Sequence, residues 1–316
     1  MKSKILLITG HRKSGTTLLA SLFDKNSEFL VYPPDVTLLY TFFPNYINKK
    51  ISFDRKIKLL RKIIKQSFNV RFKQTNYKKN INPFINRIIK KINKRNIKNI
   101  FDIIKIILIE YSKDKNKKFK YIVIKETSQS MNYDLFLKNF KKIKIINIVR
   151  NPLDNFSSLK TGGKYYDTNG EDYLTLFLSF ILRSTLDLKI AYKLAKKYPK
   201  KIINIRYEDL VNDKKKILKK VNNFLNSKIK SSEFLPSYFG YNFEGNSFKI
   251  RKFKRISNKR MNVFKENLNK NEISFISLIF EEVLKKYNYQ IPKNRISDIK
   301  HLYYKINSKF FFKKKL

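Results

Sequence analysis

Five short apolar runs punctuate the chain, spaced too widely for hairpins. They are Ile5–Ile8 (ILLI), Glu28–Tyr32 (EFLVY), Lys120–Ile124 (KYIVI), Lys144–Val149 (KIINIV) and Lys201–Arg206 (KIINIR). Each is rich in β-branched or aromatic residues and too short for a helix, which predicts buried strands. Between them the period changes to that of a helix. Leu18, Leu19 and Leu22 share one face, as do Ile85, Ile88, Ile89 and Ile92, then Ile97, Ile100, Phe101, Ile104 and Leu108. A long helix is predicted from about Asp172 to Lys197, with Tyr173, Leu176, Phe177, Phe180, Ile181 and Leu188 mostly inward and Tyr198-Pro199 ending it. Strands alternating with helices predict an α/β fold: a mostly parallel five-stranded sheet with helices on both faces.

The punctuation refines this picture. Pro33-Pro34 is expected to end the second strand and to leave Asp35 just beyond it. Pro152 can occupy the first turn of a helix, where its missing N–H costs nothing. Asn269 with Glu272 three residues later resembles a capping box at the start of the last helix. There are no internal repeats and no linker long enough to separate domains. We therefore expect one domain over residues 1–290, a helical insertion at 45–118 after the second strand, and a tail at 291–316 ending FFFKKKL.

Charge alters the list of partners. The chain has 71 Lys and Arg against 24 Asp and Glu, a formal net charge of +47. Residues 45–118 hold 23 basic and 4 acidic side chains, so 23 − 4 = +19 of that total. Such charge attracts nucleic-acid phosphates. It also arises from compositional drift, and this chain is crowded with Lys, Ile and Asn together. A basic surface can in either case recruit an anionic cofactor or a polyanionic acceptor, and the basic tail can lie on an anionic membrane surface. With no cysteine there is no disulfide framework, thiolate nucleophile or Cys-based metal site. Two histidines, His11 and His301, leave little room for a His-rich metal cluster. No secretory signal is read at the N-terminus. No apolar run approaches the ~18 residues of a membrane span. The expected location is the cytoplasm, with peripheral contact at a membrane surface.

The chemistry concentrates after the first strand. The loop Gly10-His11-Arg12-Lys13-Ser14-Gly15-Thr16-Thr17 joins that strand to a helix opening near Thr16. Its glycines permit tight turning and close backbone approach. Its N–H groups and the following helix start form a concavity for an anion. The spacing Gly10 to Gly15 fits the common nucleoside-triphosphate loop, but Thr16 stands where that motif places lysine. Lys13 lies inside the loop instead, where it would press on the bridging region of a phosphoanhydride-like group. A βα turn that is merely Gly- and Thr-rich is the alternative.

Arg12-Lys13-Ser14-Gly15-Thr16-Thr17 resembles the 5′-phosphosulfate loop of the sulfotransferases, which use 3′-phosphoadenosine 5′-phosphosulfate (PAPS). Arg150 ends the fourth strand and Ser158 follows eight positions later, similar to the family's 3′-phosphate motif. A guanidinium fork and a hydroxyl suit one phosphate. Tyr207-Glu208-Asp209-Leu210-Val211 after the fifth strand resembles a family segment whose tyrosine lies near adenine. Gly245-Asn246-Ser247-Phe248 and Arg260 resemble its late region, although Met261 replaces an aromatic residue. The resemblance covers nearly the whole chain and is weakest in 45–118 and after 290.

It implies a P-loop NTPase-like sulfotransferase fold, PAPS as co-substrate, no metal, and cofactor contacts from Arg12, Lys13, Ser14, Gly15, Thr16, Thr17, Arg150, Ser158, Tyr207 and Arg260. Lys13 would assist the transfer. Where cytosolic members carry Lys-Thr-His, this chain has Lys125-Glu126-Thr127, so the base is open: Asp35 first, Glu126 second, each with a structural ion pair as alternative and Asp35 also with a helix N-cap. The acceptor is expected to be a hydroxyl, on a glycan by preference, with no specific nucleic acid as partner. Two rivals stand: a P-loop nucleotide kinase, and a non-enzymatic protein that binds polyanions or a membrane surface.

Overall fold

The structure, a computed structural model, describes residues 3–36, 38–47, 50–75, 77–93, 97, 99–115, 118–162, 173–245 and 256–292. Most of the tail expected at 291–316 and the Asn246-Ser247-Phe248 segment lie outside the described residues.

The five expected strands form one parallel sheet. They are β1 (Lys4–Thr9), β2 (Phe29–Asp35), β3 (Tyr121–Lys125), β4 (Ile143–Val149) and β5 (Ile202–Arg206), in the order β2-β3-β1-β4-β5. The first α-helix, α1 (Thr16–Ser21), follows β1. Between β2 and β3 come a π-helical turn at Leu38–Phe42 and the helices α2 (Phe43–Ile47), α3 (Phe53–Thr75), α4 (Asn82–Asn93) and α5 (Ile100–Lys113). Helix α6 (Tyr133–Asn139) leads into β4, and α7 (Pro152–Gly162) and α8 (Tyr173–Lys197) into β5. The chain then runs through α9 (Tyr207–Asn212), α10 (Lys214–Leu225), a two-stranded ribbon of β6 (Ser237–Tyr238) and β7 (Tyr241–Asn242), and α11 (Phe264–Asn267). The capping box at Asn269 and Glu272 forms, and it opens α12 (Lys270–Ile279). The last helix is not continuous, because the chain breaks at Phe280 before α13 (Glu281–Lys286).

One boundary corrects the sequence reading. β2 does not stop at the prolines but continues through Pro33 and Pro34 to Asp35, with a register shift between Val31 and Asp35. β2 is an edge strand, and an edge tolerates the missing proline N–H groups, especially at a bulge.

Side-chain alternation splits the sheet's two faces. Ile5, Leu7, Ile122, Ile124 and Ile145 pack under α3, α4, α5 and α6. Leu6, Ile8, Val123, Ile146 and Ile148 pack under α1 and α10. A third cluster joins α7, α8, α12 and α13. In α3 the inward stripe is Leu60, Ile63, Ile64, Phe68, Arg71 and Thr75, while Arg55, Lys58, Arg61, Lys62, Lys65 and Lys73 are exposed.

The register brings the strand ends level. Ile8 and Asp35 both lie opposite Lys125, Thr9 opposite Asn147, and Val149 opposite Arg206. Gly10, Asp35, Glu126, Arg150 and Tyr207 therefore emerge along one edge. The order reverses beside β1, and crevices of this kind at strand carboxyl ends are where open α/β sheets bind ligands.

Candidate active site

The loop after β1 has a conformation that depends on its two glycines. Gly10 has φ +151°, and a Cβ there would lie 2.1 Å from the Ile148 carbonyl oxygen of neighbouring β4. Gly15 has φ +102°, and a Cβ there would lie 2.7 Å from the Tyr207 ring. Lys13 adopts φ +65°, an uncommon region for a side-chain-bearing residue. The Ser14 N–H donates to the His11 carbonyl at 3.1 Å. Thr16 and Thr17 are buried, and the Tyr238 hydroxyl donates to the Thr17 carbonyl at 3.0 Å. The Ser14 hydroxyl is buried without a hydrogen-bond partner, as is Nε of Arg150. Because α1 has only six residues, loop amides and nearby cations, rather than a long helix dipole, set the potential here.

Arg150 gathers the parts of this site. Its Nη1 donates to the Lys13 carbonyl at 2.9 Å and its Nη2 to the Arg260 carbonyl at 2.5 Å. Its guanidinium carbon stands 4.7 Å from the centroid of Tyr207. The segment bearing Arg260 is further fixed by Asp154 on α7, whose carboxylate accepts from the N–H groups of Asn262 (2.7 Å) and Phe264 (3.1 Å). Lys13 is thus surrounded by its own kind. Burial first, and then Arg12, Arg150, Arg260 and Lys125, lower its pKa to about 7. A cluster of cations held this close is a standing demand for an anion. Ser158 lies further along α7, half-buried, and forms no hydrogen bond with Arg150 here.

The two carboxylates occupy different settings. Asp35 ion-pairs with the buried Lys125 through Oδ2, and its Oδ1 accepts from Arg71 Nη2 at 2.8 Å. Burial opposes its ionisation, but Lys125 and Arg71 outweigh burial and hold its carboxyl below the ordinary range. Glu126 is 3% exposed. Its Oε1 accepts from the Thr127 N–H at 3.0 Å, while Oε2 is buried without a partner. Burial, with the Asp35 charge adding to it, raises its pKa to about 8 against the pull of Lys125. The Glu126 N–H extends the sheet ladder to the Ile8 carbonyl. Alternation therefore turns Glu126 to the face of Ile122 and Ile124, opposite to Lys125.

Three supporting residues escaped the sequence reading. Arg71 sits on α3 in a segment where basic side chains read as solvated. Its signal was its place on the inward stripe, three residues after Phe68. Asp154 lies between Arg150 and Ser158, with no spacing cue for its backbone partners. Asp187 on α8 pairs with His11 Nδ1 at 3.0 Å and accepts from the Ser130 hydroxyl at 2.6 Å, tying the loop to α8. Its signal was an acid on a face otherwise apolar, between Ser184 and Leu188.

A family model described as Sulfotransferase family matches residues 6–230. The chain belongs to the sulfotransferase family. Among solved structures, the sulfotransferase domain from the curacin biosynthetic pathway superposes with a TM-score of 0.62 at 17% identity, over 92% of this chain and 99% of that one. The sulfotransferase domain of the Synechococcus PCC 7002 olefin synthase gives 0.61 at 16% identity, over 92% and 98%. At such identity these likenesses establish the fold. No curated protein matches the chain. Among the described residues no helix is long and apolar enough to cross a membrane.

Proposed function

We propose that the protein transfers a sulfuryl group from PAPS to an acceptor hydroxyl. The observation that carries this reading is the double grip of Arg150, which holds a lysine-bearing anion loop and a second cationic segment together. A donor with phosphates at two ends matches two cationic centres. The orphaned Ser14 hydroxyl and Arg150 Nε fit a close-lying anion. Membership of the sulfotransferase family supports the same reaction.

In this scheme the loop amides, Arg12, Ser14, Thr16 and Thr17 bind the 5′ end of the donor, and Gly15 lets the backbone approach it. Lys13 stabilises charge growing on the bridging oxygen as the sulfur–oxygen bond breaks. Arg150, Arg260 and Ser158 hold the 3′-phosphate and fix the donor's register. Tyr207, buried with one face under Arg150, backs that guanidinium, and we assign it there rather than to adenine stacking. The acceptor oxygen attacks sulfur in line, and a carboxylate takes its proton. Asp35 is our first assignment, because it shares a salt bridge with Lys125 beside the loop cations. Glu126 is the second.

For the acceptor class two observations compete. The net charge of +47 speaks for a sulfated-glycan type of polyanion. The small cavity adjoining Asp35 is instead walled by Tyr32, Val36, Leu38, Ile63, Ile64, Ile104, Ile107 and Leu108, with Ser67 the other polar neighbour. That cavity is about the size of one water molecule, so it seats no acceptor and does not select the class. A heparin-type glycan and an apolar alcohol are assayed side by side.

The decisive experiment is calorimetric titration with 3′,5′-adenosine bisphosphate, in parallel with magnesium-ATP. One-to-one binding of the bisphosphate, lost in Arg150→Ala, is expected. Preference for magnesium-ATP would move the protein to the kinases. Weak, salt-sensitive binding of both would leave a polyanion-binding protein.

A further inference from the structure

Arg71 is the buried arginine of α3. Six other cations of the same helix are exposed, yet Arg71 is 4% exposed and stands on the inward stripe after Phe68. Burying a guanidinium is costly unless each donor finds an acceptor. Here Nε donates to the Pro33 carbonyl at 2.8 Å, Nη1 to Gln74 Oε1 at 2.5 Å, and Nη2 to Asp35 Oδ1 at 2.8 Å. The guanidinium carbon also stands 5.0 Å from the centroid of Tyr238, whose hydroxyl donates to the Thr17 carbonyl of the anion loop. One side chain from the segment between β2 and β3 therefore meets the end of β2, its terminal carboxylate, and a tyrosine that contacts the loop.

The Pro33 contact is informative. A proline-interrupted edge strand with a register shift has few ladder bonds to fix its last residues. Arg71 supplies one from the side: Nε holds the Pro33 carbonyl while Nη2 holds the Asp35 carboxylate, two residues on. A fork with fixed geometry does this; an ammonium on a flexible stem cannot span both. The charged and titratable groups around Asp35 are Arg71 from α3, Lys125 from β3, Glu126 just beyond it, and the Tyr238 hydroxyl from β6. Two cations there face one anion and one buried acid.

We propose that Arg71 is a positioning residue for the proton-accepting carboxylate, fixing Asp35 in place and in its ionised form next to Lys125. The proposal rests on the sulfotransferase reading with Asp35 as base. It gives α3 a part in the reaction: movement of α3 reaches the carboxylate through one guanidinium. No covalent step is added; Asp35 still receives the acceptor's proton.

The test reads Asp35 directly and needs no acceptor. The full chain is labelled with ¹³C at aspartate carboxyl carbons, and the Asp35 signal is identified by its loss in Asp35→Asn. Its midpoint is followed in the wild type, Arg71→Gln, Arg71→Lys and Arg71→Met. Removing one of two facing cations raises a carboxylate's midpoint, and we expect an upward shift of about one pH unit or more in Arg71→Gln and Arg71→Met. In Arg71→Lys the charge remains, so the midpoint should stay near the wild-type value. Arg71→Met keeps an apolar stem against Tyr238 and serves if the glutamine variant fails to fold. An unmoved midpoint in a folded charge-removing variant overturns the proposal, whatever happens to stability. Binding of 3′,5′-adenosine bisphosphate is measured on the same samples. Loss of bisphosphate binding in the wild type would reject the functional reading, whereas a shifted midpoint with binding intact supports the Arg71 assignment by itself.

Discussion

Arg150 donates from Nη1 to the carbonyl oxygen of Lys13, 2.9 Å away and 137 positions earlier in the chain. Its Nη2 reaches the carbonyl of Arg260, a further 110 positions on. A residue at the end of β4 thus fixes the backbone of two segments that carry site cations, the loop after β1 and the segment of Arg260. This is why the anion loop need not be closed by a long helix.

Arg150→Ala removes that grip and the cation together. Hydrogen bonds from a charged donor contribute about 1.5–3 kcal/mol each, so affinity for 3′,5′-adenosine bisphosphate should fall by roughly 100-fold or more. Arg150→Lys keeps the charge but cannot reach both carbonyls, and should recover only part of the loss. Calorimetry on the three proteins checks the order. Equal affinities would remove Arg150 from the donor site.

Lys13 yields a prediction about protons. With a pKa of about 7 in the free protein, it is half-charged near neutrality. A bound dianion favours the charged form and raises that value. Bisphosphate binding at pH 7–8 should therefore take up a proton, in a fraction that peaks between the free and bound values. Affinity should weaken as pH rises above 7. Titrations in buffers of different ionisation enthalpy measure the uptake. Lys13→Ala should lose both the uptake and turnover; uptake that persists in that variant would place the titrating group elsewhere.

Two glycines separate space from backbone strain. A Cβ at Gly10 would collide at 2.1 Å with a carbonyl of the central sheet, which cannot move cheaply. Gly240 has φ +81° and nothing within 4 Å of its would-be Cβ. Gly240→Ala should cost only the left-handed strain, about 1 kcal/mol. Gly10→Ala should cost several-fold more and lower the melting temperature accordingly. Similar melting temperatures for the two variants would mean that the loop after β1 adapts.

These comparisons also mark what the chain's pattern made legible. All five strands were readable because buried parallel strands are apolar on both faces and stand out as short β-branched runs. The loop and Arg150 were readable because backbone chemistry demands Gly10 and Gly15 and places a charge at a strand end. The extension of β2 was not, since whether prolines end a strand depends on whether it lies at an edge, a property of the sheet order. Arg71 was hidden among the cations of α3, where composition outshone position. The different settings of Asp35 and Glu126 were invisible, because both follow strands and only the three-dimensional partners separate a doubly paired carboxylate from a buried, uncompensated one.

Glu126 is where that difference becomes measurable. Its folded pKa of about 8 lies above that of an ordinary carboxylate, so the folded chain keeps a proton that the unfolded chain releases. By linkage, its contribution to stability is fully present below the ordinary carboxylate range and is lost as pH rises toward 8. Between pH 5 and 8.5 this group should remove roughly 2–4 kcal/mol of stability. Lys13, with its pKa lowered to about 7, acts in the opposite sense above pH 7 in both proteins. Glu126→Gln cannot ionise, so relative to the wild type it should melt higher at pH 8.5 and about equally at pH 5. Turnover distinguishes the two carboxylates in the same series: with Asp35 as base, Glu126→Gln retains most activity and Asp35→Asn loses it. A gap between the two proteins that does not widen from pH 5 to 8.5 would show that another group carries the proton, and loss of turnover in Glu126→Gln alone would exchange the roles of the two acids.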